Sequence, residues 1–353
     1  MNAPVRLRPE IAALPAYRQG KQAAPDAFKL SSNENPFEPL PAVVDALRDA
    51  VAVNRYPDAT AAGLRAALAD KFGVTTDEVH VGAGSVSLLQ QLVLAAAAPG
   101  DEVVYAWRSF EAYPIAVTTA GAASVQVPVT AEGRHDLPAM LAAITERTKI
   151  VMVCTPNNPT GPAVTQAELD DFIAAVPDHV VVVVDEAYLE FVRMDDAVDG
   201  LATYRAHPNV VLFRTFSKAY GLAGFRVGYA VAQGPVAAAL RAVSLPFGVS
   251  AVAQAAAIAS LEAEDELLER VEALALERAR VHAALLEMGW SIPEPQGNFV
   301  WFGLGERTAD FALAADEAGI VVRPFAGEGA RVSIGETEGN DRLLEVARAF
   351  GVS

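Results

Sequence analysis

Residues 215–228 read "TFSKAYGLAGFRVG", one lysine behind a threonine and a serine and ahead of an arginine. A lysine with its ordinary pKa of about 10.4 is protonated at neutral pH and is a poor nucleophile. Burial and a nearby cation both lower that value and free the amine. Lys218 follows an apolar run and is close in sequence to Arg226, so the stretch offers both conditions. An amine of this kind can hold an aldehyde cofactor covalently, while Thr215, Ser217 and Arg226 bind a phosphate on the same molecule. The other reading is a solvated lysine beside a solvated arginine.

Three further stretches have chemistry to offer. "VVVVDEAY" at 181–188 carries Asp185 to the end of a very apolar run. An unpaired carboxylate there is costly, so it must face a cation or several donors. A protonated ring nitrogen is one such partner, and capping the next helix is the alternative use of an aspartate. "CTPNNPTG" at 154–161 puts the Asn158 amide just before Pro159. "HVGAGSVSLLQQL" at 80–92 reads as strand, glycine turn and helix, with free N–H groups at the helix start for an anion. The helix dipole adds only about 0.3–1 kcal/mol, so a dianion needs cationic partners as well. A dinucleotide-binding fingerprint fits less well: Gly82 and Gly84 take its first two positions, but Ser87 stands at the third.

These residues need a frame that brings them together. "EVHVGAG" (78–84), "EVVYAW" (102–107), "KIVMVC" (149–154), "HVVVVVDEAY" (179–188) and "NVVLFRTFS" (209–217) are short and rich in β-branched residues. Such runs suit strands buried on both faces, as in a mostly parallel sheet covered by helices. "SLLQQLVLAAAA", "LPAMLAAITER" and "TQAELDDFIAAV" between them read as helices. Ligands of open α/β sheets sit at the carboxyl ends of the strands. "GAGS", "WRSF", "TPNNPTG", "DEAY" and "TFSK" all fall there, so five loops face one edge if the strands are parallel. One long helix is expected over about 255–288, with Leu267, Leu268, Val271, Leu274 and Ala275 as its apolar stripe and Glu266–Arg270 as a pair along it. The rest, with "NFVWFGL", "IVVRPF" and "ARVSIG", reads as a small α/β unit. The expected division is an N-terminal arm over 1–40, a large domain over 41–250 and a small domain over 251–353.

Composition narrows the partners. The 353 residues are 52% hydrophobic, as in a globular protein with a large core, and carry 27 Lys+Arg against 44 Asp+Glu. A net charge of −17 argues against nucleic acid, which needs a basic footprint. It leaves anionic small molecules open, because screening confines the diffuse field to about 8 Å. The single Cys154 excludes an internal disulfide and fits a reducing compartment, and five scattered histidines give no metal-ligand spacing. With no long apolar run at the start or elsewhere, the sequence reads as cytoplasmic, with no membrane span.

The chemistry-bearing stretches, in this order and spacing, resemble the histidinol-phosphate aminotransferase subfamily of fold-type I, class II pyridoxal-phosphate enzymes. "TPNNPTG", "DEAY", "TFSKAYGLAGFRVG", "NF" at 298–299 and "RVSIG" at 331–335 carry the resemblance, and "KLSSNENPF" (29–37) and "NRYPD" (54–58) extend it over nearly the whole chain. "GSVSLLQQLV", "WRSFEAYP", "RTFSKAYGLAG", "PFGVS" and "QAAAIASL" are most similar to the actinobacterial phenylalanine, or aromatic amino acid, aminotransferases. The resemblance implies a seven-stranded-type sheet and the cofactor pyridoxal 5'-phosphate. It implies ping-pong transfer of an amino group from phenylalanine, tyrosine or tryptophan to 2-oxoglutarate.

The implied roles follow motif by motif. Lys218 holds the cofactor as an aldimine and moves the proton between Cα and C4′. Asp185 pairs with the ring nitrogen, Asn158 and Tyr188 bond the ring's 3-oxygen, and Phe110 stacks on the ring. Ser217, Thr215, Arg226 and the backbone N–H groups of Ser85 and Val86 hold the phosphate. Tyr56 reaches the phosphate of a neighbouring subunit, which implies a homodimer with shared sites. Arg331 takes the substrate carboxylate in the two-pronged geometry that suits arginine, with Asn158 and Asn298 nearby. Arg323 and Tyr17 match positions that serve the phosphate-bearing substrate of histidinol-phosphate enzymes, the alternative activity. Trp107, Phe110, Phe247, Phe299 and Phe325 favour the aromatic one.

Overall fold

A computed structural model of the chain describes residues 5–16, 21, 23–50 and 54–352. Seven strands form the main sheet: β1 (Val79–Gly82), β2 (Glu102–Trp107), β3 (Ala123–Pro128), β4 (Thr148–Cys154), β5 (Val181–Asp185), β6 (Val210–Thr215) and β7 (Gly228–Val231). Their spatial order is β1-β7-β6-β5-β4-β2-β3. β2 to β6 are parallel, and β7 runs antiparallel to both β1 and β6. Two reversals cancel, so β1 points the same way as β2 to β6 and all six carboxyl ends share one edge.

The valine-rich runs become strands because β-branched side chains suit a pleated surface that is covered on both sides. Alternate residues feed two apolar layers. Val104, Val151, Val153, Val182, Val184 and Leu212 pack into one, and Val103, Tyr105, Ile150, Met152, Val183 and Phe213 into the other. The same alternation sends Glu186 away from its neighbour Asp185, to a buried ion pair with Arg214 at 2.8 Å.

Two strands, β3 and β7, go beyond the apolar runs read from sequence. β3 lies at the sheet edge and is largely exposed, and β7 has only four residues after a glycine-rich loop. The single long helix expected over 255–288 is instead two, Ala251–Glu262 and Glu264–Glu287. The backbone leaves helical geometry at Ala263, and Ser250 caps the first of the pair through the Ala253 N–H. Leu267, Val271, Leu274 and Ala275 are buried as expected, and the Glu266–Arg270 pair forms at 3.1 Å, but Leu268 faces solvent.

A second, antiparallel sheet has β8 (Phe299–Gly303), β9 (Arg323–Phe325) and β10 (Gly329–Ser333) in the order β9-β10-β8. The N-terminal segment is stitched beside it. Phe28–Lys29 pair in parallel with Ile320–Val321, Ser333 N donates to the Leu30 carbonyl at 2.8 Å, and Asn33 N donates to Ser333 Oγ at 2.7 Å. Among the described residues no helix is long and apolar enough to cross a membrane.

Candidate active site

The carboxyl edge of the main sheet and the second sheet enclose a cavity of about 790 Å³. Ser85, Val86, Phe110, Asn158, Asp185, Tyr188, Thr215, Ser217, Lys218, Arg226, Arg323 and Arg331 all line it. Residues spread over 247 positions of sequence thus meet in one chamber (85 to 331).

Lys218 leaves the end of β6 through the Phe216–Ser217 turn, and its Nζ donates to the Ser32 carbonyl at 3.0 Å. Burial lowers its pKa to about 7, with the Arg331 and Arg226 guanidinium groups adding to the effect and Glu34 opposing it. The amine is therefore substantially uncharged near neutrality, the condition for nucleophilic attack.

Asp185 ends β5, aligned with Cys154 on one side and Phe213 on the other. Its Oδ2 accepts a hydrogen bond from the Tyr113 hydroxyl at 2.8 Å, while Oδ1 has no hydrogen-bond partner among the described residues. Burial raises the carboxyl to about 6, and the Tyr113 hydroxyl holds that rise back. The helix-capping alternative fails: the next helical turn, Leu189–Phe191, follows Tyr188, and Asp185 does not cap it. A buried carboxylate oxygen aimed at a ligand cavity fits a cationic N–H donor.

The anion cradle has three sources. The helix Ser85–Ala96 begins at the cavity behind Gly84, presenting its first N–H groups. Arg226 adopts a left-handed conformation, φ 54°, and its Nη1 donates to Ser217 Oγ at 3.1 Å and to the Ala223 carbonyl at 3.1 Å. Thr215 Oγ1 accepts from Ser217 N at 3.1 Å. Gly84, at φ 76°, leaves the space that the Arg226 guanidinium fills; a Cβ there would collide with Nη2. Helix start, hydroxyl and guanidinium converge as a phosphate requires.

The opposite wall is built by Arg331 on β10. Its guanidinium donates to Asn158 Oδ1 and, at 2.7 Å, to the Ser31 carbonyl, and lies 5.7 Å from the Phe299 ring. The Tyr188 hydroxyl accepts from Asn33 Nδ2 at 2.9 Å, and burial raises its pKa. Phe110 meets Tyr113 edge-to-face at 5.7 Å. Arg323 pairs with Glu111 at 2.8 Å.

Two expected site residues do not join the chamber. Asn298 is buried behind it, donating from Nδ2 to the Asn33 carbonyl at 3.3 Å, so it supports Asn33 rather than reaching the cavity. Tyr56 is 81% exposed and stacks on Phe247 at 4.5 Å, away from this chain's own cavity. Tyr17 lies outside the described residues. Sequence reasoning gave no role to Ser31, Ser32, Asn33, Tyr113 or Glu111. "KLSSNENPF" held the first three in plain view, but only the fold shows their carbonyl and amide groups bonding Arg331, Lys218 and Tyr188.

Residues 25–346 match the family model described as Aminotransferase class I and II. The chain is 58% identical to an aromatic amino acid aminotransferase of Streptomyces avermitilis over 98% of its own length and 97% of that protein's. It is 56% identical to one of Thermobifida fusca, covering 98% of each. Among solved structures it is similar to histidinol-phosphate aminotransferase from Sinorhizobium meliloti in complex with pyridoxal-5'-phosphate. That likeness has a TM-score of 0.88 at 30% identity and covers 99% of this chain and 100% of that one. Aspartate aminotransferase from Thermus thermophilus with maleate gives 0.80 at 28% identity, with 92% and 91% covered. With its fold, its lysine-centred cavity and these matches in hand, the chain belongs to the class I and II aminotransferases.

Proposed function

We propose that this chain transaminates aromatic L-amino acids with pyridoxal 5'-phosphate, passing the amino group on to 2-oxoglutarate in a second half-reaction. The observation that carries the reading is the meeting, in one cavity, of the Lys218 amine, the Asp185 carboxylate, whose Oδ1 has no hydrogen-bond partner among the described residues, and the Ser85–Ser217–Arg226 cradle. They match the aldehyde, ring nitrogen and phosphate of that cofactor in charge and hydrogen-bonding capacity. Relatives more than half identical over nearly the full chain are named for aromatic substrates.

When bound, the cofactor supplies an electron sink that stabilises negative charge at the substrate Cα. The chain's residues do the rest. Arg331 grips the substrate α-carboxylate and fixes which Cα bond faces Lys218. Lys218 Nζ, with a substantial uncharged fraction near neutrality, takes the Cα proton. Asp185 would hold the ring nitrogen in its protonated form, and the Tyr113 hydroxyl donates to that carboxylate and favours its ionised form. Asn158 and Tyr188 would hold the ring's oxygen, and Phe110 would offer it an apolar surface. Tyr56 serves the phosphate of a second subunit, so the working unit is a homodimer in the cytoplasm, with an arm over 1–40, a large domain over 41–250 and a small one over 251–353.

Lys218→Ala tests the reading. Turnover of phenylalanine and the visible absorbance of the bound cofactor should both vanish, while the far-ultraviolet circular dichroism is retained. Transamination at the wild-type rate would remove the mechanism. Arg323 in the cavity wall supports a second reading, histidinol-phosphate transamination, and kcat/KM for the two donors side by side separates them.

A further inference from the structure

The cavity wall around Phe110 and Phe325 is charge-neutral although it contains a cation. Arg323, on β9, bonds through Nη2 to Glu111 Oε2 at 2.8 Å, with side chains 13% and 31% exposed. Behind the lining, Arg108 shares the Phe325 ring with Arg323, is paired with Glu328 and lies over the Trp107 and Phe325 rings at 4.4 and 5.3 Å. Phe110, Ala112, Ile115 and Phe325 complete the wall with apolar surface. Glu111 is the N-cap residue of the helix Ala112–Ala120, where the helix dipole favours its negative charge. A bare guanidinium in such a wall would attract any anionic tip and would have to be desolvated by an aromatic one.

We infer that Glu111 is a built-in counter-ion that sets side-chain specificity by occupying Arg323. An uncharged aromatic side chain packs on the paired wall without breaking it. A phosphate-ester tip, with its two negative charges, must displace Glu111 and leave that carboxylate half-buried beside a like charge. Glu111 is thus a selecting residue, and Arg323 is the group through which it acts. The inference rests on the aromatic reading above.

The test uses holoenzyme and two donors, phenylalanine and histidinol phosphate, because kcat/KM for a donor in a ping-pong exchange does not depend on the acceptor. The ratio of the two values on one preparation cancels the active fraction, so partial misfolding does not distort it. Glu111→Gln should shift the ratio toward histidinol phosphate by about ten-fold or more, equivalent to about 1.4 kcal/mol. Glu111→Asp should return most of it, and adding Arg323→Gln to Glu111→Gln should abolish the shift. A ratio that stays within about two-fold in Glu111→Gln, or a shift that survives loss of Arg323, overturns the inference while leaving the aromatic reading intact. Wild-type enzyme active on histidinol phosphate and inactive on phenylalanine removes the aromatic reading and this inference with it.

Discussion

Lys218 and Asp185 are each held away from their ordinary ionisation, and this makes opposite pH demands on the cofactor-free protein. Asp185 titrates at about 6 in the fold against about 3.9 in an unfolded chain. The native state therefore holds this proton more tightly, and stability falls as pH rises from about 4 to about 6. The full penalty, at most about 3 kcal/mol, stands above that window. Lys218 titrates at about 7 against about 10.4 unfolded, so its penalty is complete below pH 7 and fades as pH rises toward 10. By scanning calorimetry of the cofactor-free protein, Asp185→Asn should melt several degrees above wild type at about pH 8 and equal it near pH 4. Lys218→Met should gain at about pH 6 and lose that gain near pH 10. A gain independent of pH would refute the assignment of either penalty. Tyr113→Phe removes the donor to Oδ2, so the acid limb of the kcat profile should move to higher pH and activity near neutrality should fall about ten-fold. Local sequence announced Lys218 and Asp185 because both end apolar runs. It gave no sign of Tyr113 or Asn33, whose partners are 72 and 155 positions away.

At the scale of elements, the phosphate cradle depends on a close approach between the start of the Ser85–Ala96 helix and strand β7. A Cβ at Gly228 would stand 2.8 Å from Ser85 N and 2.9 Å from the Arg214 carbonyl, both backbone atoms with no room to yield. Gly228→Ala should therefore destabilise the fold by about 1–3 kcal/mol and weaken cofactor retention at least ten-fold, read by absorbance after dialysis. Undiminished retention would separate the helix start from phosphate binding. The strands that cross the core were legible because burial on both faces writes them as unbroken valine-rich runs. β3 was not, since an exposed edge relaxes the demand for apolar residues, and "GYAV" in β7 is too short to show a period. The break at Ala263 was hidden for a related reason: the apolar stripe continues on the far side, and alanine gives no signal to stop.

For the molecule as a whole, the exposed Tyr56–Phe247 stack makes the proposed sharing of sites between subunits testable by mixing defects. Lys218→Ala and Tyr56→Ala chains, each impaired alone, should regain activity when unfolded together and refolded, because a mixed dimer has one site with both groups intact. No recovery would mean that each chain serves only its own site. The place of β7 carries a final consequence. β1 touches the rest of the sheet through β7 alone, a strand nearly 150 residues later in the chain (79 to 228). The helix start at Ser85 therefore lacks its close backbone neighbour Gly228 during synthesis until β7 has left the ribosome. A nascent chain stopped short of that point would carry the lysine, the carboxylate and the Arg226 guanidinium but not the strand that braces the phosphate seat, so firm capture of the cofactor waits for β7.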